Sequence, residues 1–249
     1  MSYIVAVAGK GGTGKTTIAC LLINWLNKNK KGAVLAVDAD PNSTLAEALG
    51  VAPKESIGQI IESISKEPNQ IPGGMSKDHY VEYRLQESLS ESNGFDLLVM
   101  GRPEGPGCYC YVNNVLRGVV KKIADNYEYV VIDNEAGMEH LSRRTMRRAD
   151  CMILVTDCSL VGLRSAQRIY QLARDLEIKT DKFILVVNRV QKEGCLQEEI
   201  KTLGIENIFR IPEDKNILEL STQARPLSRL DKDAVSLAAI EKLGEGIWY

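Results

Sequence analysis

The 249-residue chain lacks the features that would mark it as a membrane, secreted or nucleic-acid-binding protein. It has no apolar run near the roughly 20 residues of a transmembrane helix, and it begins with a strand pattern instead of a signal peptide. Its net charge of −2 provides no long-range attraction to nucleic acid or anionic membrane. Its six cysteines do not resemble a disulfide framework. We expect one cytoplasmic domain, residues 1–249, with no membrane or nucleic-acid partner.

Short apolar runs alternate with helix-period segments, which predicts an α/β fold: a doubly wound, mostly parallel sheet with helices on both faces. The predicted strands are Ser2–Ala8, Ala33–Asp38, Asp96–Met100, Tyr129–Asp133, Cys151–Thr156, Phe183–Asn188 and Asn207–Ile211. The predicted helices are Lys15–Asn29, Ser56–Ser65, Val112–Asp125, Glu139–Arg148, Val161–Leu176, Leu196–Leu203 and Lys232–Leu243. The polar segment Pro68–Asn93 fits neither pattern, and we expect a hairpin insertion at Tyr80–Leu89. Ligands of such sheets bind beyond the carboxyl ends of the strands.

The clearest motif lies between the first predicted strand and the first predicted helix, where a phosphate-binding P-loop belongs. It consists of Gly9, Lys10, Gly11, Gly12, Thr13, Gly14, Lys15, Thr16 and Thr17. Glycines let backbone N–H groups turn toward phosphate oxygens, and a helix N-terminus favours the same anion. Lys15 would reach the β- and γ-phosphates, and the Thr16 hydroxyl would bind Mg²⁺. The sequence therefore predicts an enzyme that hydrolyses a nucleoside triphosphate.

Lys10 is a second lysine within this loop. With it, the sequence resembles the deviant-Walker-A ATPases, which include the MinD and ParA partition proteins and the nitrogenase iron protein. The resemblance extends from Tyr3 to about Leu243. It implies a homodimer with nucleotide between the subunits, in which Lys10 reaches the partner's nucleotide and stabilises the transferring phosphate. The plainer alternative for Lys10 is a solvated loop lysine.

Two acidic motifs agree with this resemblance. The sequence Asp38-Ala39-Asp40-Pro41-Asn42 ends the second predicted strand, as the family's switch I motif does. By resemblance, Asp40 orients the attacking water and Asp38 helps to hold the magnesium shell. The sequence Val130-Val131-Ile132-Asp133 has the Walker B form, with Asp133 as a carboxylate that supports the ligands of the magnesium ion. The alternative is that each aspartate only caps the helix that follows it.

The base site is expected from the resemblance. Asn188 lies where the family's asparagine hydrogen-bonds adenine, and Pro212, Glu213 and Asp214 lie in the counterpart of its adenine-contacting loop. No guanine-reading Asn-Lys-x-Asp sequence occurs. ATP and ADP are therefore the expected nucleotides.

Cys108 and Cys110 form the motif that distinguishes a metal-binding ATPase from the other members of the family. Residues two apart on an extended segment project to the same side, so both sulfurs can bind one metal ion. Two thiolates do not complete a tetrahedral site, whereas a two-fold axis would supply both cysteines twice. The alternative is that these cysteines only fill a turn. The other four, Cys20, Cys151, Cys158 and Cys195, are expected to be packing residues.

The comparison with the nitrogenase iron protein sharpens this expectation. Each subunit of that protein supplies two separated cysteines to a shared iron–sulfur cluster, and here the second position falls at about His140. The Cys-x-Cys pair instead resembles the CooC-type accessory ATPases that mature nickel-containing carbon monoxide dehydrogenase. That resemblance implies Ni²⁺ or Zn²⁺ at the cysteines and the dehydrogenase as client. His140 is either structural, an additional metal ligand or a sensor of the nucleotide state. Four arginines form either a solvated helix face or a docking surface for an acidic client: Arg143, Arg144, Arg147 and Arg148.

Two other classes remain as alternatives. The first is an iron–sulfur reductase component, which the missing second cysteine disfavours. The second is a MinD- or ParA-type positioning ATPase. Those proteins use a C-terminal amphipathic membrane helix or a basic DNA-binding face, and the sequence suggests neither.

Overall fold

The computed structural model describes residues 2–30, 32–102, 118, 122–136, 148–192 and 194–249. The strands are β1 (Tyr3–Gly9), β2 (Val34–Ala39), β3 (Ser90–Ser92), β4 (Phe95–Val99), β5 (Tyr129–Asn134), β6 (Arg148–Thr156), β7 (Lys179–Val190) and β8 (Asn207–Pro212). The helices with described ends are α1 (Lys15–Asn29), α2 (Thr44–Leu49), α3 (Ile57–Lys66), α4 (Lys77–Glu87), α5 (Leu160–Asp175), α6 (Gln197–Lys201), α7 (Lys215–Thr222) and α8 (Val235–Trp248). Single 3₁₀ turns lie at Pro68–Gln70 and Leu227–Arg229.

The eight strands form one sheet in the order β3-β4-β2-β5-β1-β6-β7-β8. Neighbouring strands are parallel except for β3, which pairs antiparallel with β4. Strand β1 lies between β5 and β6, so the chain leaves it near the middle of the sheet. The carboxyl ends of β1, β2 and β5 therefore meet at one edge, where ligands of open α/β sheets bind.

Helices cover both faces of the sheet, and β2 shows why its sequence is continuously apolar. Val34 and Ala36 pack into the cluster that contains α1 and α8, whereas Leu35 and Val37 pack into the cluster that contains α3 and α4. A third cluster joins α5 to β6 and β7. Burial on both faces is the expected state of a parallel strand. The predicted doubly wound α/β fold is confirmed.

The hairpin expected at Tyr80–Leu89 is wrong, because this segment belongs mainly to helix α4. The Ser76 hydroxyl accepts the His79 N–H and caps the helix. Tyr80 and Leu85 are buried against α3, so the apolar residues follow a helical period. The hairpin of this region comes later and consists of β3 and β4.

Two further differences concern helices. The predicted helix Glu139–Arg148 lies outside the described residues except for Arg148, which begins strand β6. Of the predicted helix Val112–Asp125, residues 118 and 122–125 are described: 118 and 122–124 are helical, and Asp125 lies in a turn. The short helices α2 and α7 were not expected. None of the helices in the described part of the chain combines the length and hydropathy of a membrane-spanning segment.

Candidate nucleotide and magnesium site

The P-loop connects β1 to α1 and is closed by contacts of its own backbone. The Thr13 hydroxyl donates to the Lys10 carbonyl at 2.8 Å. Gly14 has a φ of +95°, and a Cβ atom there would lie 2.3 Å from Nδ2 of Asn188. Both the left-handed backbone and the close contact require glycine at this position. The loop thus places the N-terminus of α1 at the carboxyl edge of the sheet.

Lys15 is the charged residue at the start of α1, and only 7% of it is exposed. Burial lowers the pKa of its ammonium group, while Asp133, Asp40 and Glu135 act in the opposite direction. A lysine held among carboxylates at a helix N-terminus is placed to bind a phosphate anion.

Thr16 and Asp133 form a pair beneath the loop. The Thr16 hydroxyl donates to Oδ2 of Asp133 at 2.6 Å, and the Thr44 hydroxyl lies 3.3 Å from that of Thr16. Asp133 is fully buried, and its Oδ1 has no hydrogen-bond partner among the described residues. Burial raises the pKa of Asp133 to about 6, against the opposing effects of Thr16 and Lys15. A hydroxyl beside a buried carboxylate with a spare oxygen fits Mg²⁺, which prefers oxygen ligands.

Asp38 anchors the segment between β2 and α2. Its two carboxylate oxygens accept the backbone N–H groups of Leu45 at 2.9 Å and Asp40 at 3.2 Å. Burial, with a further contribution from Asp133, raises the pKa of Asp38 to about 7. The Asp40 carboxylate accepts two hydrogen bonds from Asn42 and remains partly exposed. The structure thus brings both switch aspartates to the edge that carries Lys15, and their predicted roles stay predictions.

The ends of β7 and β8 meet the other side of the P-loop. The Asn188 side chain donates to the Thr13 carbonyl at 2.9 Å, and the Glu213 N–H donates to the Val190 carbonyl at 3.1 Å. The Asp214 carboxylate accepts hydrogen bonds from Asn216 N–H and from both N–H and hydroxyl of Ser236. Asp214 therefore caps α7 and ties it to α8. The adenine contacts of Asn188, Pro212, Glu213 and Asp214 stay predictions.

Comparison with known proteins agrees with this geometry. Residues 4–227 match the CobQ/CobB/MinD/ParA nucleotide binding domain. The chain belongs to this family. It is accordingly an ATP-binding P-loop ATPase, and the predicted enzyme class is confirmed.

Proteins similar to this ATPase have different named functions. An uncharacterized ATP-binding protein of Methanocaldococcus jannaschii is 45% identical over 248 residues, which is 98% of each chain. The carbon monoxide dehydrogenase accessory protein CooC of Rhodospirillum rubrum is 34% identical over 188 residues, which is 71% of each chain. The structure of the septum site-determining protein MinD of Pyrococcus horikoshii, complexed with Mg-ADP, superposes with a TM-score of 0.68 at 20% identity. It covers 99% of this chain and 96% of its own, and it shows the shared fold.

Several predicted residues of the ATPase lie outside the described part of the chain: Cys108, Cys110, His140, Arg143, Arg144 and Arg147. Arg148 is described and was placed wrongly on a helix face. It begins β6, and its guanidinium pairs with Asp150 at 2.6 Å. A strand residue with this partner does not belong to the proposed basic helix.

The cysteines divide into two kinds. Cys20 and Cys151 are buried packing residues, as expected. Cys158 and Cys195 were expected to be packing residues too, but they form a disulfide with their Cα atoms 5.9 Å apart. It joins the start of α5 to the loop after β7. The pairing was missed because 37 residues separate the two cysteines.

Two residues of the site were missed by the sequence analysis. Thr44, at the start of α2, brings a hydroxyl to Thr16. Arg189 donates from its guanidinium to the Gly12 carbonyl at 3.1 Å. Its position directly after Asn188 was the only available signal, because its contact depends on an irregularity of β7.

Proposed function

We propose that this ATPase is a homodimeric metal-delivery protein that holds a nickel ion between its subunits and supplies it to a carbon monoxide dehydrogenase. The observation that carries the proposal is the pair Cys108 and Cys110 in a chain 34% identical to a carbon monoxide dehydrogenase accessory protein. Thiolates suit nickel and zinc, and two cysteines from each subunit would complete a four-thiolate site. The metal ion is cargo in this account.

The described residues support a link between the cysteine segment and the nucleotide. The segment starts where β4 ends, beside β2. The Met100 N–H donates to the Asp38 carbonyl at 2.8 Å, and the Gly58 N–H donates to the Met100 carbonyl at 2.9 Å. Gly101 follows with a φ of +61°, and a Cβ atom there would lie 2.3 Å from the Ser56 hydroxyl. A movement of Asp38 would therefore reach the end of β4, which precedes the cysteine segment in the sequence.

Hydrolysis in this account depends on positions and charges around the phosphates. Lys15 binds the β- and γ-phosphates, and Lys10, exposed on the loop, reaches the nucleotide of the partner subunit. Asp40 orients the attacking water. Thr16 and Asp133 would hold Mg²⁺, which neutralises part of the phosphate charge when bound. ATP thereby favours the dimer, and hydrolysis releases it.

Nucleotide drives delivery only if the ATP-bound dimer and the separated subunits differ in metal affinity. A site shared between subunits has this property, because separation leaves each ion with two thiolates. Four thiolates also repel one another until a divalent cation offsets half of their charge. Metal should therefore promote dimerisation, as ATP does.

The test is anaerobic equilibrium dialysis with nickel and with zinc under reducing conditions. Wild-type protein should bind one ion for every two subunits, and Cys108→Ser and Cys110→Ser should each lose tight binding while keeping ATPase activity. The double variant Cys158→Ser, Cys195→Ser is the control, since it removes two other thiols, and it should bind metal normally. Tight binding of one ion per monomer, or undiminished affinity without Cys108 and Cys110, contradicts the shared site.

The client is tested with metal-free carbon monoxide dehydrogenase, nickel and ATP. Wild-type protein should increase the rate at which carbon monoxide oxidation appears, and Cys108→Ser should not. An equal rate with both proteins would contradict the proposed client, while leaving the metal site to be judged by dialysis.

A positioning ATPase is the second candidate, because MinD and ParA give the family its description. Such a protein would bind anionic vesicles or DNA when loaded with a non-hydrolysable ATP analogue. Co-sedimentation that depends on the analogue, in a protein that fails the dialysis test, would favour this candidate over metal delivery.

A further inference from the structure

Strand β7 is irregular at the point where it passes the P-loop. In its pairing with β8, Val187 is opposite Arg210 and Val190 is opposite Pro212. Three steps along β7 therefore match two along β8, which defines a β-bulge at residues 188 and 189. Arg189 within it has a φ of +56°, a left-handed conformation that is uncommon for residues other than glycine. Bulges beside functional sites commonly redirect side chains.

Here the bulge sends two successive side chains to two successive carbonyls of the P-loop. Asn188 donates to the Thr13 carbonyl at 2.9 Å, and Arg189 donates to the Gly12 carbonyl at 3.1 Å. A regular strand would point these two side chains to opposite faces of the sheet. The unusual backbone of Arg189 is thus what allows both contacts.

These contacts fix the orientation of two peptide groups in the loop. In a trans peptide the carbonyl of one residue and the N–H of the next point in opposite directions. Holding the Gly12 carbonyl toward Arg189 turns the Thr13 N–H to the opposite side, where it donates to the Lys10 carbonyl at 3.4 Å and closes the turn of the loop. Fixing this peptide keeps the loop in the curved shape that forms the anion-binding concavity of a P-loop.

We propose that Arg189 is a positioning residue of the phosphate site. Its guanidinium holds the Gly12 carbonyl outward and so keeps the P-loop in the closed shape that surrounds the β-phosphate of ATP or ADP. Arginine suits this task, since its fork of donors keeps a fixed geometry and its charge persists at all relevant pH values. The role belongs to nucleotide binding in each single subunit and does not depend on the metal proposal.

The test is isothermal titration calorimetry of Arg189→Ala with ADP, a non-hydrolysable ATP analogue and inosine diphosphate. We expect all three affinities to fall by about the same factor, roughly five- to tenfold, since each ligand has a β-phosphate and the lost hydrogen bond is charge-assisted. The ratio of ADP to inosine diphosphate affinity should stay unchanged, because the base is not contacted through Arg189. Arg189→Lys, which keeps a charged donor, should recover part of the loss.

Two variants separate the guanidinium from other causes. Arg189→Gly relieves the left-handed backbone and lacks the side chain, so it should bind ADP as weakly as Arg189→Ala. Arg168→Ala removes an exposed arginine from the middle of α5 and should bind ADP like the wild type.

Four outcomes would overturn the proposal. One is undiminished ADP affinity in Arg189→Ala, and another is wild-type affinity in Arg189→Gly, which would assign the effect to the backbone. A changed ratio between ADP and inosine diphosphate would indicate a base contact. A loss limited to the ATP analogue would indicate a contact across the dimer.

Discussion

Buried polar side chains lie at the same edge of the sheet in two regions, and the regions differ in how those groups are satisfied. At the ends of β2 and β5, Asp38 and Asp133 are fully buried with raised pKa values, and Oδ1 of Asp133 has no partner among the described residues. At the ends of β7 and β8, Asn188 and Asp214 are also buried, and both form hydrogen bonds with neighbouring groups of the chain.

The difference separates a region built for ligands from a region built as scaffold. Burial of the Asp38 and Asp133 carboxylates costs free energy, and Oδ1 of Asp133 has no hydrogen-bond partner among the described residues. The first region therefore gains most when a cation and a phosphate bind. The second region has its hydrogen bonds already and holds the P-loop and α7 in place. Substitutions in the first region should therefore alter ligand binding and catalysis, and substitution of the hydrogen-bonded Asp214 in the second should mainly alter stability. Arg189 in the second region differs, because it contacts a P-loop carbonyl directly.

The largest expected effect is that of Lys15→Ala. Loss of the ammonium group should lower ATP turnover by about a hundredfold or more and weaken ADP binding, because the phosphate charge loses its buried partner. Steady-state ATPase assays measure the first effect and calorimetry the second. Lys28→Ala, at the exposed far end of the same helix, is the control and should behave like the wild type. Turnover retained within a factor of a few in Lys15→Ala would contradict the assignment.

Asp133→Asn should affect ligand binding and stability in opposite directions. Magnesium should no longer strengthen ATP-analogue binding, because the buried carboxylate is gone. The metal-free variant should be more stable than wild type at pH 7 by about 1–3 kcal/mol, since a raised carboxyl pKa means that the charged form costs folding free energy. The difference in free energy of unfolding between the variant and the wild type should shrink as pH falls through 6 and disappear below about pH 4, where Asp133 is protonated in both the folded and the unfolded state. Urea unfolding in EDTA at several pH values measures this difference. Equal stability of the two proteins at pH 7 would contradict a free-energy cost of burying the Asp133 carboxylate.

Asp214→Ala should show the behaviour of the scaffold region. Losing the cap of α7 and the link to Ser236 should lower the free energy of unfolding by about 2 kcal/mol. ADP affinity of the folded variant should change by no more than about twofold. Glu206→Ala, which removes an exposed acidic side chain just before β8, is the control and should behave like the wild type. A more than tenfold loss of ADP affinity in Asp214→Ala would place that carboxylate on the base and remove the contrast.

The sequence predicted the phosphate side of the site better than the base side, for physical reasons. Helix α1 has the predicted bounds, since the P-loop pattern fixes its start and the apolar period continues to Asn29. Asp38 and Asp133 were found because each ends an apolar strand. Arg189 was missed because its hydrogen bond to the Gly12 carbonyl depends on the β-bulge in β7. No local sequence pattern predicts that bulge.

The remaining errors also concern contacts between distant parts of the chain. The polar composition of Pro68–Asn93 concealed helix α4, whose stability comes from Tyr80 and Leu85 packing on α3. Cys158 and Cys195 meet only because α5 and the loop after β7 begin at the same edge of the sheet. The spacing of the two cysteines along the sequence does not predict that they lie within bonding distance.

Native mass spectrometry of the protein with nickel and a non-hydrolysable ATP analogue shows whether one metal ion is shared by two subunits. We expect a dimer that carries two nucleotides and one nickel ion, and we expect Lys10→Ala to bind nucleotide but to stay monomeric. Monomers that each hold their own nickel ion, or nucleotide-bound dimers that hold none, would contradict a metal ion carried between two subunits.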